Sequence, residues 1–184
     1  GDLLPQLVGL VDGGLRVDGV VEAGAMIRVP RLEVTTVAVD GDVEVGGDIR
    51  LLGADLAEGF EVGDRTIEPG SVLVMDDDGV LHRSSSAYDS RVAGVVSGAG
   101  GLRPGVLLDQ ADPETKLPVA LVGKVDCWVD ADAAPIRVGD LLTTSDVVGH
   151  AMRASDRDRA FGSVLGKAMQ PLERGRGLVR VLVA

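Results

Sequence analysis

The sequence is poor in the residues that most often build sites. It has one cysteine, Cys127, two histidines, His82 and His150, and aromatic side chains amount to only 2%. A single cysteine excludes an internal disulfide. With no second cysteine near it and the histidines far apart in sequence, zinc-type ligand spacing is absent as well. The expectation for Cys127 is a core thiol. No apolar run approaches the ~20 residues of a membrane span, and no signal-peptide pattern is visible. Positive charge is scarce too. Lys and Arg number 18 against 29 Asp and Glu, for a net charge of −11. Such a chain repels phosphate backbones, so nucleic acid and anionic membranes are not expected partners. No cofactor motif is found. The chain begins at Gly1 rather than Met, as expected of a fragment, a processed product or a tag remnant.

What is present is valine, leucine, alanine and 26 glycines in 184 residues. Valine-rich stretches cut by glycine turns predict short strands and an all-β fold. The first third is the most regular part. From Val37 it reads in steps of six, "VAVDGD", "VEVGGD", "IRLLGA", with a related "LRVDGV" at 15–20. Val37, Val39, Val43, Val45, Ile49 and Leu51 then share one face. Units this small cannot bury a face alone. They stack as a solenoid or intertwine with another chain, the alternative being a plain β-meander. Residues 1–53 are therefore expected to form a β-repeat stalk, 54–66 a junction and 67–184 a compact all-β domain.

The second region carries two similar hairpins. "IEPGSVLVMDDDGVLHRSS" begins at Ile67 and bends at Asp78-Gly79; "IRVGDLLTTSDVVGHAMRAS" begins at Ile136. Each is followed by a glycine-containing apolar strand, "RVAGVVSG" or "AFGSVLGKA". The pattern predicts a duplicated hairpin-plus-strand unit, with "PVALVGKVDCWVDAD" at 118–132 as a central strand pair between the copies. "SDRDRA" at 155–160 is expected to make a polar turn or short helix.

Candidate sites compete with simpler readings. "DDDG" at 76–79 lacks the further ligands of a calcium loop and reads as a hairpin turn. The serines near His82 lack a nucleophile elbow; Tyr88 and Asp89 are expected to anchor that loop. "GAGGLRPG" at 98–105 lacks the Lys-Ser/Thr of a phosphate loop. "GADLAEGFEV" at 53–62 places Asp55 and Glu58 three apart. On one helical turn they would share a face and could act as a proton-sharing acid/base pair. They could equally close a capping box, Asp55 at the N-cap and Glu58 at N3, which explains the spacing without chemistry and is the reading the residues favour.

From Gly47 onward the blocks "GDIRLLGADLAEGFEV", "IEPGSVLVMDDDG", "YDSRVAGVVSGAGGLRPG", "PVALVGKVDCWVDADAAPIRVGDLLTTS" and "GSVLGKAM" resemble the C-terminal tip domains of phage and phage-derived trimeric fibres. "ADLAE" is also similar, more distantly, to the intramolecular chaperone domains of phage neck appendages. The resemblance implies a homotrimer joined to an upstream fibre or particle component. Its location would be a virion, a phage-derived particle or a bacterial cell surface. In the chaperone family an Asp-x-x-Glu element performs glutamic-type self-cleavage just before the Asp. On this chain that implies Asp55 and Glu58 as the catalytic pair and Ala54–Asp55 as the cut bond; Ala54 stands where that family has Ser. Three functions follow: an assembly domain capping a stalk, a self-cleaving intramolecular chaperone, or a receptor- or carbohydrate-binding tip.

Overall fold

A computed structural model of the chain describes residues 7–11, 14–17, 30–109 and 114–183, the first two segments by their backbone. The chain divides into two units, Gly1–Gly47 and Asp48–Ala184. The first holds an antiparallel pair, β1 (Leu7–Val11) and β2 (Gly14–Val17), with Leu10 opposite Leu15. Part of the "LRVDGV" repeat lies outside the described residues. Residues 31–52 form neither helix nor strand. Among the described residues, no backbone–backbone hydrogen bond involves 30–53.

The six-residue pattern predicts a face to be buried, and within this chain that face is open. Leu32, Val34, Val37, Val39, Val43, Val45, Ile49, Leu51 and Leu52 are all 46–104% exposed. The physical reason is the one that limits any short repeat: a single turn has no neighbour to lie against.

The second unit is almost entirely β-structure. Its strands are β3 (Asp55–Glu61), β4 (Val72–Met75), β5 (Leu81–Arg83), β6 (Val92–Val96), β7 (Pro104–Leu108), β8 (Lys116–Asp130), β9 (Leu141–Thr144), β10 (Ala151–Arg153), β11 (Val164–Ala168) and β12 (Arg176–Val183). A single helical turn, α1 (Arg157–Ala160), follows β10, and Asp156 caps it by accepting from the Asp158 and Arg159 amides. This is the short helix expected from "SDRDRA".

β8 organises the unit. The sequence predicts two strands at 118–132; there is one of 15 residues. Gly123 makes a kink within this strand at φ +116°, where a Cβ would lie 2.8 Å from the Ala54 carbonyl oxygen. Only glycine fits that combination of backbone angle and close approach. The C-terminal part of β8 pairs with β12, then β11, β9 and β10 follow, and β10 returns to β8 through Ala151 opposite Val129. That closes a five-stranded barrel. Its core holds Val125, Cys127, Val129, Ile136, Leu142, Val179 and Val181. Burial also pushes the Cys127 thiol far above its ordinary value.

The N-terminal part of β8 pairs with β3 and β6; β6 pairs with β4 and β4 with β5. A bridge from Val62 to Leu81 links the end of β3 to β5. Ile67, Leu73, Leu81, Val96 and Val119 form a second, smaller core here. β7 lies parallel to β3 and has no other strand neighbour among the described residues. Gly123 stands opposite both Asp55, where β3 begins, and Val183, where β12 ends.

Candidate functional site

The expected helical turn at 53–62 is β3 instead. Its burial alternates with a period of two, so Asp55, Ala57 and Gly59 face inward. Residues three apart on a strand lie on opposite faces. Asp55 and Glu58 therefore make neither a capping box nor a side-by-side pair within one chain. Asp55 is buried, while Glu58 is half-exposed and stands opposite Val119 and Leu108.

The surroundings of Asp55 are unusual for a carboxylate. Neither of its oxygens has a hydrogen-bond partner, nor does the buried Ser97 hydroxyl. Desolvation raises the Asp55 carboxyl above its ordinary value, and the nearby Ser97 hydroxyl opposes that rise. Since the contact falls short of hydrogen-bond geometry, it offsets little, and burial decides the direction. The backbone on either side is tied down: the Ala54 amide donates to the Arg103 carbonyl and the Lys124 amide to the Ala54 carbonyl. The Ala54–Asp55 peptide thus lies at the start of β3, between the Arg103 carbonyl and β8.

Of the other candidate loops, 76–80 is built as a turn, whereas 98–105 holds a short 3-10 helix at Ala99–Gly101 and then enters β7 at Pro104. In the hairpin 76–80, one Asp76 oxygen accepts from the Asp78 and Val80 amides and the other pairs with His82 Nε2 at 2.8 Å. The His82 contact is the main reason that Asp76 stays below the ordinary carboxylate range. Among the described residues no group of three or more His, Cys, Asp or Glu gathers as metal ligands.

Tyr88 anchors its loop as expected. Its hydroxyl accepts from the Asp156 amide at 2.8 Å, and the Arg159 guanidinium lies 4.4 Å over its ring. Asp89 accepts from the Arg91 amide. Trp128 is half-buried on β8, its indole N–H enclosed without a partner and its ring 6.1 Å from that of His150. Phe161, by contrast, is 94% exposed after α1. Single exposed apolar side chains are ordinary at protein surfaces.

Two features escape sequence reasoning. Asp126 is buried and held bidentately by Arg180, at 3.0 and 3.2 Å. The two residues are cross-strand partners on β8 and β12, a pairing visible only once the register is known. The outer surface of the barrel also carries a row that alternates apolar and basic residues. Leu141 faces Lys167, Lys167 faces Leu182, and Leu182 faces Lys124. All four are exposed. Alternation along each strand gives the period; the row itself runs across strands. No family model matches the chain, and no curated protein matches it.

Proposed function

We propose that this chain is a structural and assembly module of a phage-like fibre or spike, in which residues 1–53 of each copy are covered by neighbouring copies and the β-domain ends and registers the assembly. Three copies is the number put forward, following the fibre-tip resemblance; closed rotational symmetry is the usual outcome for homo-oligomers. One observation carries the reading: nine large apolar side chains between Leu32 and Leu52 are exposed in one continuous stretch. Isolated exposed leucines need no explanation, but a run of this length is an interaction surface. The six-residue repeat fits identical neighbours, and the net charge of −11 keeps such an assembly soluble.

We further propose that the tip is a duplicated unit. β4 lies between β5 and β6 as β9 lies between β10 and β11. Gly70 and Gly139 both have φ +90°, three residues after the buried Ile67 and Ile136. Gly94 and Gly166 each sit where a Cβ would strike a neighbouring strand's carbonyl. In this arrangement the tip domains hold chain ends together, which raises the local concentration of the stalk segments.

Solution mass tests the assembly reading. Residues 1–184 should form a discrete oligomer, with three copies expected, in analytical ultracentrifugation. A chain that stays monomeric up to about 100 μM, where even weak specific contacts are populated, overturns the reading. The same run on residues 55–184 shows which part holds the copies together.

A further inference from the structure

The alternating row on the outer barrel surface has an unusual composition for this protein. The chain carries a large excess of acid, yet here Lys124 and Lys167 stand between Leu182 and Leu141 without an ion-pair partner among the described residues. Asp126 and Asp140, the acids beside this row, are already bound to Arg180 and Arg153. Val122, two residues before Lys124 on the same strand, extends the apolar part and is 56% exposed; Leu141 and Leu182 are 41% exposed. Leu56 on β3 stands opposite Val122 and continues the row toward β7. An exposed apolar strip studded with unneutralised lysines is complementary to a segment that is itself apolar and acidic.

The same chain contains such a segment. Between Val37 and Leu52, Val37, Val39, Val43, Val45, Ile49, Leu51 and Leu52 are exposed, and they are interleaved with Asp40, Asp42, Glu44 and Asp48 against a single Arg50. Among the described residues none of these acids has a hydrogen-bonding or ionic partner. We propose that the strip Leu56–Val122–Lys124–Leu182–Lys167–Leu141 receives the valine- and acid-rich segment 37–52 of a second copy of this chain. The valines lie on Leu182, Leu141 and Val122. The lysine ammoniums, on long flexible stems, reach the carboxylates at the rim. The strip adjoins Gly123, where β3 begins, so it lies beside the point at which the chain passes from the repeat into the barrel. The proposal rests on the assembly reading above and adds the surface, the segment and the sign of the charges.

The test is a charge swap followed by analytical ultracentrifugation over a dilution series. K124E/K167E should weaken association by about tenfold or more, and D42K/E44K should do the same, because each sets like charges against one another. The combined four-residue variant should recover the wild-type association to within about threefold while remaining an oligomer. Wild-type association that is unchanged in K124E/K167E overturns the proposal, as does a combined variant that fails to recover. A combined variant that is as compact and stable as the wild type but monomeric places the contact inside one chain, which also overturns the second-copy occupant. Should K124E/K167E fail to fold, the wild type itself decides: its dissociation constant should rise with salt between about 50 and 500 mM, and a flat response counts against the lysine–carboxylate contact. A wild type that never associates is a different result, which removes the assembly reading rather than this surface alone.

Discussion

Residues 37–52 and strands β8 to β12 are written in nearly the same letters: valine and leucine alternating with charge, broken by glycine. In the barrel this pattern finds partners from the same chain. Val125, Val179, Val181 and Leu142 are all buried, and each backbone has a ladder beside it. In 37–52 the equivalent side chains are exposed and no ladder forms. The lesson is that an alternating pattern specifies a demand for a covering face and leaves open which chain supplies it. Closing a barrel takes about five strands and a turn geometry that returns the last strand to the first. The barrel has β10 to do this; the repeat has no counterpart among the described residues.

The sharpest way to break the comparison is the same substitution in both regions. Leu142→Ala removes a fully buried side chain from the barrel core and should cost about 2–5 kcal/mol in denaturant unfolding. Leu51→Ala, measured on dilute, unassociated chain, should change stability by less than about 0.5 kcal/mol. At assembling concentrations Leu51→Ala should instead raise the dissociation constant. If both substitutions destabilise the dilute chain equally, the repeat is covered within one chain and the contrast collapses.

Next in size is Gly123→Ala. The left-handed backbone and the approach of Ala54 and Asp55 both penalise a Cβ. About 1–3 kcal/mol should be lost, with the amides of β3 showing faster hydrogen exchange than those of β9. Equal acceleration in both would show that the kink is not specific to the β3 junction.

The smallest effect belongs to Asp55→Asn. The folded-state carboxyl is raised above its ordinary value of 3.8, so the native chain holds that proton more tightly than the unfolded chain does. The corresponding stability is fully present below the ordinary value and is lost as pH rises through the folded value. At neutral pH the wild type has lost that stability, and Asp55→Asn, which has no carboxyl to desolvate, should stabilise by about 1 kcal/mol. The gain should vanish at about pH 3, where the wild-type carboxyl is protonated in both states. A difference that is constant across this range would show that charge burial is not its cause.

The sequence is most legible where turn chemistry is local. Asp78-Gly79 sits in the bend of the β4–β5 hairpin because Gly79 takes φ +84° and Asp76 caps the amides around it. "SDRDRA" makes its one helical turn because Asp156 is a good cap. The stretch 53–62 misleads for a physical reason. Its inward residues are Asp55, Ala57 and Gly59, so the buried face of β3 does not look apolar. Its acids meanwhile fall at a helical interval. The strand pair expected at 118–132 is one strand, because β3 and β12 on either side supply enough pairing to carry the ladder through the kink at Gly123. The Asp126–Arg180 pair and the lysine–leucine row depend on registers between strands distant in sequence, which no local signal encodes.

Because Asp55 and Val183 both stand opposite Gly123, the two ends of the barrel unit lie at one place. A unit built this way behaves like a bead on a thread loop: the polypeptide goes in and comes out through the same doorway. It can be relocated as a cassette, since a short linker joining 183 to 55 would leave every ladder in place and allow new termini in a surface turn such as Asp76–Val80. Anything fused after Val183 would emerge beside Asp55, where β3 begins.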